Sequence, residues 1–179
     1  MLADEHRKQL LLLARHSIEY AFDGSFDAPQ VTEEVLCRPA GAFVTLRTED
    51  GDLRGCIGSI LPREALYRAV HSNALNAAFR DPRFHPVSRE ELAHLQIEIS
   101  VMGPIERVRA VDDVIVGRDG LIITRGGCAG LLLPQVASEY GWDRDTFLEQ
   151  TCVKAGLGRA DWRHPETVIE KFSAEVFGE

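Results

Sequence analysis

The sequence predicts an α+β protein of two small α/β lobes, with mainly antiparallel sheets packed by helices. Apolar and polar residues alternate in several short segments, apolar residues recur at helical spacing in longer ones, and tight-turn signals separate neighbouring strands. The order of hairpin, helix and strand then occurs twice along the 179 residues. Strands joined by short turns pair antiparallel, and the helices between them cover the sheets.

The first half of the chain gives the clearer pattern. An amphipathic helix is predicted from Asp4 to Phe22, and strands are predicted from Ala42 to Glu49 and from Leu53 to Ile60. Asp50-Gly51 between the two strands is a strong hairpin signal. Proline is favoured in the first helical turn, so Pro62 predicts a helix from Arg63 to Arg80.

Three signals organise the segment after that helix. Asp81-Pro82 ends the helix, because proline lacks an N–H group and restricts the residue before it. Ser88 and Glu91 have the spacing of a capping box over a short helix. The alternation from Leu95 to Met102 predicts a strand, which Gly103-Pro104 ends.

The second half repeats the order of the first. Its predicted elements are a strand at Val114 to Val116, a turn at Asp119-Gly120, strands at Leu121 to Thr124 and Leu131 to Leu133 around Gly126-Gly127, a helical region opened by Pro134, broken near Gly141 and resumed over Arg144 to Lys154, and a closing strand near Ile169 to Phe177. We expect residues 1–179 to form a single domain with two sublobes that meet near residues 103–113.

Two short strings in the two halves also resemble each other. Residues 55–62 align without gaps on residues 127–134 and share Gly, Cys, Gly, Leu and Pro. An internal hairpin-helix-strand duplication explains this match. Convergence explains it too, because glycine turns that lead into a helix through Leu-Pro are common.

Composition and charge exclude several function classes. Twenty Lys+Arg against 28 Asp+Glu give a net charge of −8 without a basic block, so nucleic acid is not an expected partner. The N-terminal segment has no secretory pattern, and no stretch approaches the ~20 apolar residues of a membrane span. We therefore expect a cytoplasmic protein that does not associate with membranes.

The cysteines and histidines do not form a recognisable metal site. The four cysteines are far apart in sequence without a CxxC pair, and the six histidines include no HExxH pair. GxGxxG and GxxxxGK[ST] are both absent, so the sequence lacks the fingerprints of dinucleotide and phosphate loops. We expect no bound metal and no cofactor.

The segment with most chemical content is Leu53-Arg54-Gly55-Cys56-Ile57-Gly58. Strand alternation places Arg54 and Cys56 on one face, where the arginine would favour the nucleophilic thiolate form of the cysteine. Gly55 and Gly58 would leave the strand open to a ligand or to another backbone. Cys56 is thus a candidate catalytic residue, although a buried packing cysteine with a glycine bulge fits the same residues.

Two further residues are candidates for binding. Asn73 lies on the same helical stripe as Val70 and Ala77, so its amide either holds the strand backbone or faces a ligand. Arg83, with Arg54 and His85, would form a small cationic patch suited to a small anionic ligand. The predicted ligand or partner-binding residues are Arg54, Gly55, Ile57, Gly58, Asn73 and Arg83, beside the catalytic candidate Cys56.

Several strings together resemble the AMMECR domain family, the A component of the AmmeMemoRadiSam system. They are residues 53–58, Asn73 with residues 77–84, residues 117–121 and residues 130–136, and the resemblance runs from the first helix to the closing strand. Cys128 departs from it, because a basic residue is expected there. This departure argues against a shared two-cysteine metal site.

The resemblance implies a compact α+β fold and a functional surface at Arg-Gly-Cys-Ile-Gly. It also implies a Memo-like protein and a radical-SAM protein as partners. It does not supply a reaction, so catalytic roles do not transfer. We therefore expect a partner or binding component, with an enzyme that uses the Cys56 thiol on a small substrate as the alternative.

Overall fold

The computed structural model describes all residues 1–179 and divides them into two compact units. The first contains Met1–Met102 with Glu175–Glu179, and the second contains Gly103–Ala174. Six α-helices, two short 3₁₀ helices and seven strands are present, and the paired strands run antiparallel. The α+β class predicted from the sequence is confirmed.

The first unit places a sheet against two long helices. Its elements are α1 (Asp4–Phe22), α2 (Glu34–Cys37), β1 (Ala42–Arg47), β2 (Leu53–Ser59), α3 (Leu66–Phe79), α4 (Arg89–Leu92) and β3 (Gln96–Met102). Strand β1 pairs with β2 on one side and with β3 on the other. The order β2-β1-β3 continues into the last residues of β7 (Val168–Gly178), so β2 lies at an edge.

Helical periodicity explains the core of this unit. Leu10, Ile18 and Val70 turn the apolar faces of α1 and α3 inward, where all three are fully buried. Val44 of β1 and Ile99 of β3 belong to the same buried cluster. The predicted bounds of the first helix are confirmed, as are the capping box of α4 and the hairpin turn, where Gly51 has φ +88°.

The start of α3 corrects one prediction. The helix begins at Leu66, not at Arg63, and Pro62 does not open it. Residues 64–66 instead run beside residues 38–40: the N–H of Leu66 donates to the Arg38 carbonyl, and Pro39 bridges to Ala65. This pairing between distant segments holds the chain extended and overrides the local helix signal.

The second unit contains its own strand pairs and its own core. Its elements are β4 (Glu106–Arg107), a 3₁₀ turn (Val111–Asp113), β5 (Asp119–Arg125), β6 (Cys128–Leu132), α5 (Pro134–Glu139), α6 (Arg144–Lys154), a second 3₁₀ turn (Arg159–Arg163) and most of β7. Strand β5 pairs with both β6 and β7. Phe147 and Leu148 of α6 pack with Leu121 and Ile123 of β5 in the buried cluster.

Two predictions for this unit are wrong. Val114 to Val116 is not a strand, and Asp119-Gly120 is not a turn but the start of β5. The buried Asp119 carboxylate accepts the Ile115 N–H, which folds the preceding residues into a turn. Gly120 lies opposite Phe172 of β7, whose ring occupies the space that a side chain at position 120 would need.

The similar strings of the two halves occupy different places. Gly127 has φ +86° in the β5-β6 turn, whereas its aligned partner Gly55 lies inside β2. By contact, the counterpart of Gly55 is Gly130, because Gly55 lies against Ala77 at the end of α3 and Gly130 against Ala155 at the end of α6. The order of hairpin, helix and strand recurs in both units, but the string alignment is offset by three residues.

Candidate functional site

Most of the candidate residues from the sequence lie on β2 or at its outer edge in the first unit, whereas Asn73 bonds to Ala42 of β1. Strand β2 carries five of them, Asn73 lies on α3, and Arg83 lies in the segment between α3 and α4. Because β2 is an edge strand, the backbone on its outer side needs partners other than a neighbouring strand. Those partners define the geometry of the site.

Asp81 is the centre of this geometry. Its side chain is only 1% exposed, and its carboxylate accepts the backbone N–H of Cys56 at 2.9 Å and that of Arg83 at 3.1 Å. The Arg83 guanidinium donates two more hydrogen bonds to it, at 2.9 and 2.6 Å. These bonds, foremost that from the Arg83 side chain, hold the pKa of Asp81 well below its usual range.

Arg83 completes the cover of the strand edge. Its Nη2 donates to the Cys56 carbonyl oxygen at 3.2 Å while the same group holds Asp81. Both backbone polar groups of Cys56 are therefore bonded to the Asp81–Arg83 pair. The edge is closed to a further strand at Cys56, and the Arg83 side chain is still 52% exposed.

The Cys56 thiol is half-buried and faces β1. The Thr45 hydroxyl, on the residue paired with Cys56 across the hairpin, donates to Sγ at 3.4 Å. The thiol is free and has a hydroxyl donor, whereas the Arg83 guanidinium bonds to the carbonyl oxygen of Cys56. Whether the thiol acts in catalysis stays a prediction.

Arg54 is engaged differently from the sequence expectation. Its guanidinium bonds to both carboxylate oxygens of Glu91 and donates to the His85 carbonyl oxygen at 2.9 Å. This bonding lowers the pKa of Glu91. The Arg54 guanidinium, which was expected beside the thiol, is paired with Glu91 instead. The arginine that contacts Cys56 is Arg83, through the Cys56 carbonyl oxygen.

Phe84 joins the two arginines into one surface. Its half-buried ring lies 5.7 Å from the Arg54 guanidinium carbon and 5.4 Å from that of Arg83. We call Arg54, Cys56, Arg83, Phe84 and His85 the Arg83 surface. Both arginines of the expected cationic patch are paired with carboxylates, so this surface combines an aromatic ring with partly neutralised cations.

The remaining candidates have packing partners within the protein. A side chain at Gly55 would overlap the Ala77 carbonyl oxygen of α3, and one at Gly58 would overlap the Phe43 ring. Ile57 packs against the core, and the Asn73 amide donates to the Ala42 carbonyl oxygen at 3.0 Å. Both glycines thus leave room for other atoms of the protein, and the Asn73 side chain bonds to a backbone carbonyl. Their predicted role in binding stays a prediction.

The residues that organise this site could not be identified from the sequence. Local signals place Asp81 only at the end of a helix and Glu91 only in a capping box. Neither contact had a local signal, because Asp81 lies 25 residues from Cys56 and Glu91 lies 37 from Arg54. The two carboxylate–arginine pairs, Asp81 with Arg83 and Glu91 with Arg54, become visible only when the strand edge is in place.

No group of three or more His, Cys, Asp or Glu side chains is arranged to hold a metal ion. No helix has both the length and the apolar character needed to cross a bilayer.

Comparisons with known proteins identify close relatives across nearly the whole chain. The profile of the AMMECR1 family matches residues 11–177. A protein of Nanoarchaeum equitans is 40% identical over 177 residues, which cover 95% of this chain and 98% of the relative. A protein of Aquifex aeolicus is 41% identical over 179 residues, covering 96% and 92%. The crystal structure of a Pyrococcus horikoshii protein has a TM-score of 0.88 and 41% identity, covering 99% of this chain and 93% of that one.

Proposed function

This chain belongs to the AMMECR1 family, and on that premise we propose that it is a binding component that engages a partner protein through the Arg83 surface. The partners implied by the family resemblance are a Memo-like protein and a radical-SAM protein. The surface includes Arg54 and Cys56 of the Arg-Gly-Cys-Ile-Gly strand that carries the resemblance.

One observation carries the proposal: the Phe84 ring lies within contact distance of two guanidinium groups beside the strand edge, at 5.7 Å from that of Arg54 and 5.4 Å from that of Arg83. Arginine and aromatic residues are enriched among the residues that dominate binding energy at protein interfaces. Burial of the first unit's core does not require Arg83, whose side chain remains half exposed. Its exposed part is therefore available to a partner.

The surface is also held in place before any partner arrives. Asp81 fixes Arg83 by three hydrogen bonds, and Glu91 fixes Arg54 by two. Side chains ordered in the free protein lose less entropy on binding, so more of the contact energy appears as affinity. This supports a binding role without requiring a chemical step.

The proposal predicts which single substitution weakens the complex. Phe84→Ala removes the ring but leaves both ion pairs, so we expect roughly tenfold or weaker binding to the partner with the fold intact. Phe26→Ala is the matched control, because it removes a ring that is 61% exposed elsewhere in the first unit. Calorimetric titration against the purified Memo-like and radical-SAM proteins of the same genome measures both. Equal affinity for wild type and Phe84→Ala would overturn the proposal.

The second candidate function is thiol chemistry at Cys56. The Thr45 hydroxyl that donates to Sγ is the observation that favours it. Exposure alone predicts that Cys37 and Cys128 alkylate before the half-buried Cys56, and that the buried Cys152 alkylates last. Faster alkylation at Cys56 than at both exposed cysteines, slowed by Thr45→Val, supports the enzyme. The order set by exposure excludes an activated thiol.

A further inference from the structure

A cavity in the first unit shares no lining residue with the Arg83 surface. It has a volume of about 610 Å³ and opens between the end of α1, the loop that follows it and one side of α3. This volume is in the range of small-molecule sites. Its lining residues include Phe22, Phe26, His71, Leu75, Phe79 and Arg80.

Aromatic rings form most of the apolar wall. Phe22 and Phe79 meet edge to face with their centroids 5.4 Å apart, and Phe26 extends from the loop with 61% of its surface exposed. Exposed rings beside a concave surface lose unfavourable contact with water when an apolar group enters. The wall therefore favours a ligand with an apolar body.

His71 holds the loop that carries Phe26. Its ring is buried at the back of the cavity, with Nε2 3.1 Å from the Phe26 carbonyl oxygen and Nδ1 2.8 Å from the Ser17 hydroxyl. These contacts tie the loop to both α1 and α3. The wall is thus formed before a ligand arrives, which reduces the ordering that binding requires.

The charge at the cavity is the opposite of that of the whole protein. The chain has a net charge of −8, yet no Asp or Glu lines this cavity. Arg80 is exposed at its rim and makes neither an ion pair nor a side-chain hydrogen bond, unlike Arg54 and Arg83. A helix C-terminus favours a cation there, but that effect does not explain why no carboxylate lines the cavity.

We propose that this cavity binds a small amphipathic carboxylate. The apolar body lies against Phe22, Leu75 and Phe79, and the carboxylate lies at the Arg80 guanidinium, where planar two-bond pairing is available. The Asn76 amide, which also lines the cavity and makes no hydrogen bond within the protein, adds a donor beside it. This site is independent of the proposed partner surface.

Three probe compounds separate the two parts of the proposed ligand. Phenylbutyrate has both a ring and a carboxylate, phenylbutylamine replaces the carboxylate by a cation, and butyrate lacks the ring. Backbone amide NMR titration of the full chain should show saturable shifts in residues 71–80 with phenylbutyrate. Affinity should be at least about tenfold lower for each of the other two compounds, since each lacks one favourable contact.

Matched variants test the residues. Arg80→Gln should weaken phenylbutyrate binding roughly tenfold. Arg63→Gln removes the same charge from an exposed site outside the cavity and should not change it. Phe26→Ala should weaken binding, whereas Phe84→Ala should not. Saturable shifts with this ranking support the proposal. Absence of saturation at the solubility limit, equal affinity for phenylbutylamine, or an unchanged affinity in Arg80→Gln overturns it.

Discussion

Asp81 is the residue on which the edge of β2 depends most. It satisfies the Cys56 N–H and positions Arg83, which in turn satisfies the Cys56 carbonyl. A buried carboxylate with several hydrogen bonds is stable only while those donors remain. One side chain thus links the packing of the strand edge to the exposed surface proposed to bind a partner.

Replacing the carboxylate by an amide tests this role. Asp81→Asn should lower the free energy of unfolding by about 2–3 kcal/mol, because hydrogen bonds to a charged group are weakened and two of the four donors then face the amide nitrogen. Asp145→Asn is the control, since its ion pair with Arg163 is exposed and should contribute less than about 1 kcal/mol. Urea unfolding measures both. Equal losses would contradict the central position of Asp81.

The same carboxylate predicts a pH dependence. Its folded-state pKa is lowered, chiefly by the Arg83 hydrogen bond, whereas an aspartate in an unfolded chain titrates near ~3.9. The unfolded chain therefore binds more protons in acid, so this stabilisation is complete above about pH 4 and is lost as pH falls further. The stability difference between wild type and Asp81→Asn should shrink in that range. A difference independent of pH would contradict this prediction.

At the level of elements, β2 and α3 meet through a glycine. Gly55 allows the Ala77 carbonyl at the end of α3 to approach the strand, and Gly58 accommodates the Phe43 ring from β1. In the second unit, Gly130 lies against the end of α6 and Gly120 receives the Phe172 ring. Close helix-to-strand contact at a glycine and a ring over a cross-strand glycine thus occur in both units.

Gly55→Ala tests the helix contact. The added methyl group would overlap backbone rather than a movable side chain, so we expect about 2–3 kcal/mol of destabilisation. Gly178→Ala is the matched strand control, because the nearest atom there is 3.3 Å from the added carbon. Thermal and urea unfolding should rank Gly55→Ala well below Gly178→Ala. Similar stabilities would show that α3 can move away from β2 at little cost.

The Arg54–Glu91 ion pair joins β2 to α4. Glu91 also closes the capping box of α4 by accepting the Ser88 N–H at 3.4 Å. A double-mutant cycle with Arg54→Met and Glu91→Ala should give a coupling free energy of about 1 kcal/mol, because the pair is partly buried. A coupling near zero would mean that solvent replaces the ion pair without loss.

Local sequence signals predicted a helix, turn or cap correctly where neighbouring residues alone determine it. The 19-residue α1, the Asp50-Gly51 hairpin and the capping box of α4 depend on neighbouring residues, and all three are present. The predicted start of α3 is wrong because residues 38–40 pair with residues 64–66 and hold that segment extended. The turn predicted at Asp119-Gly120 is wrong because these residues pair with β7, about 50 residues later in the chain.

For the candidate site, the sequence identified the strand but not what surrounds it. Residues 53–58 are a candidate because strand alternation places Arg54 and Cys56 on one face beside two glycines, and they do form part of β2. The partner of Arg54 could not be chosen from sequence, because several carboxylates were available and only the fold brings Glu91 to it. In the same way, only the fold brings the Asp81 carboxylate to the Cys56 N–H.

Across the whole molecule, each unit has its own buried core and its own antiparallel strands. The two features proposed to bind other molecules, the Arg83 surface and the cavity beside α3, are both built from the first unit. The second unit contributes the exposed Cys128 and the buried Cys152, while the first contributes Cys37 and Cys56. The four free cysteines therefore report on distinct positions in one experiment.

Protection of Cys56 in a complex tests the proposed partner surface most directly. The alkylation rates of all four cysteines are measured by mass spectrometry, with and without saturating Memo-like or radical-SAM partner. We predict that the partner slows alkylation of Cys56 strongly while Cys128 keeps its rate, and that Phe84→Ala reduces the protection at equal partner concentration. An unchanged Cys56 rate in a complex shown to be fully formed would contradict binding through the Arg83 surface.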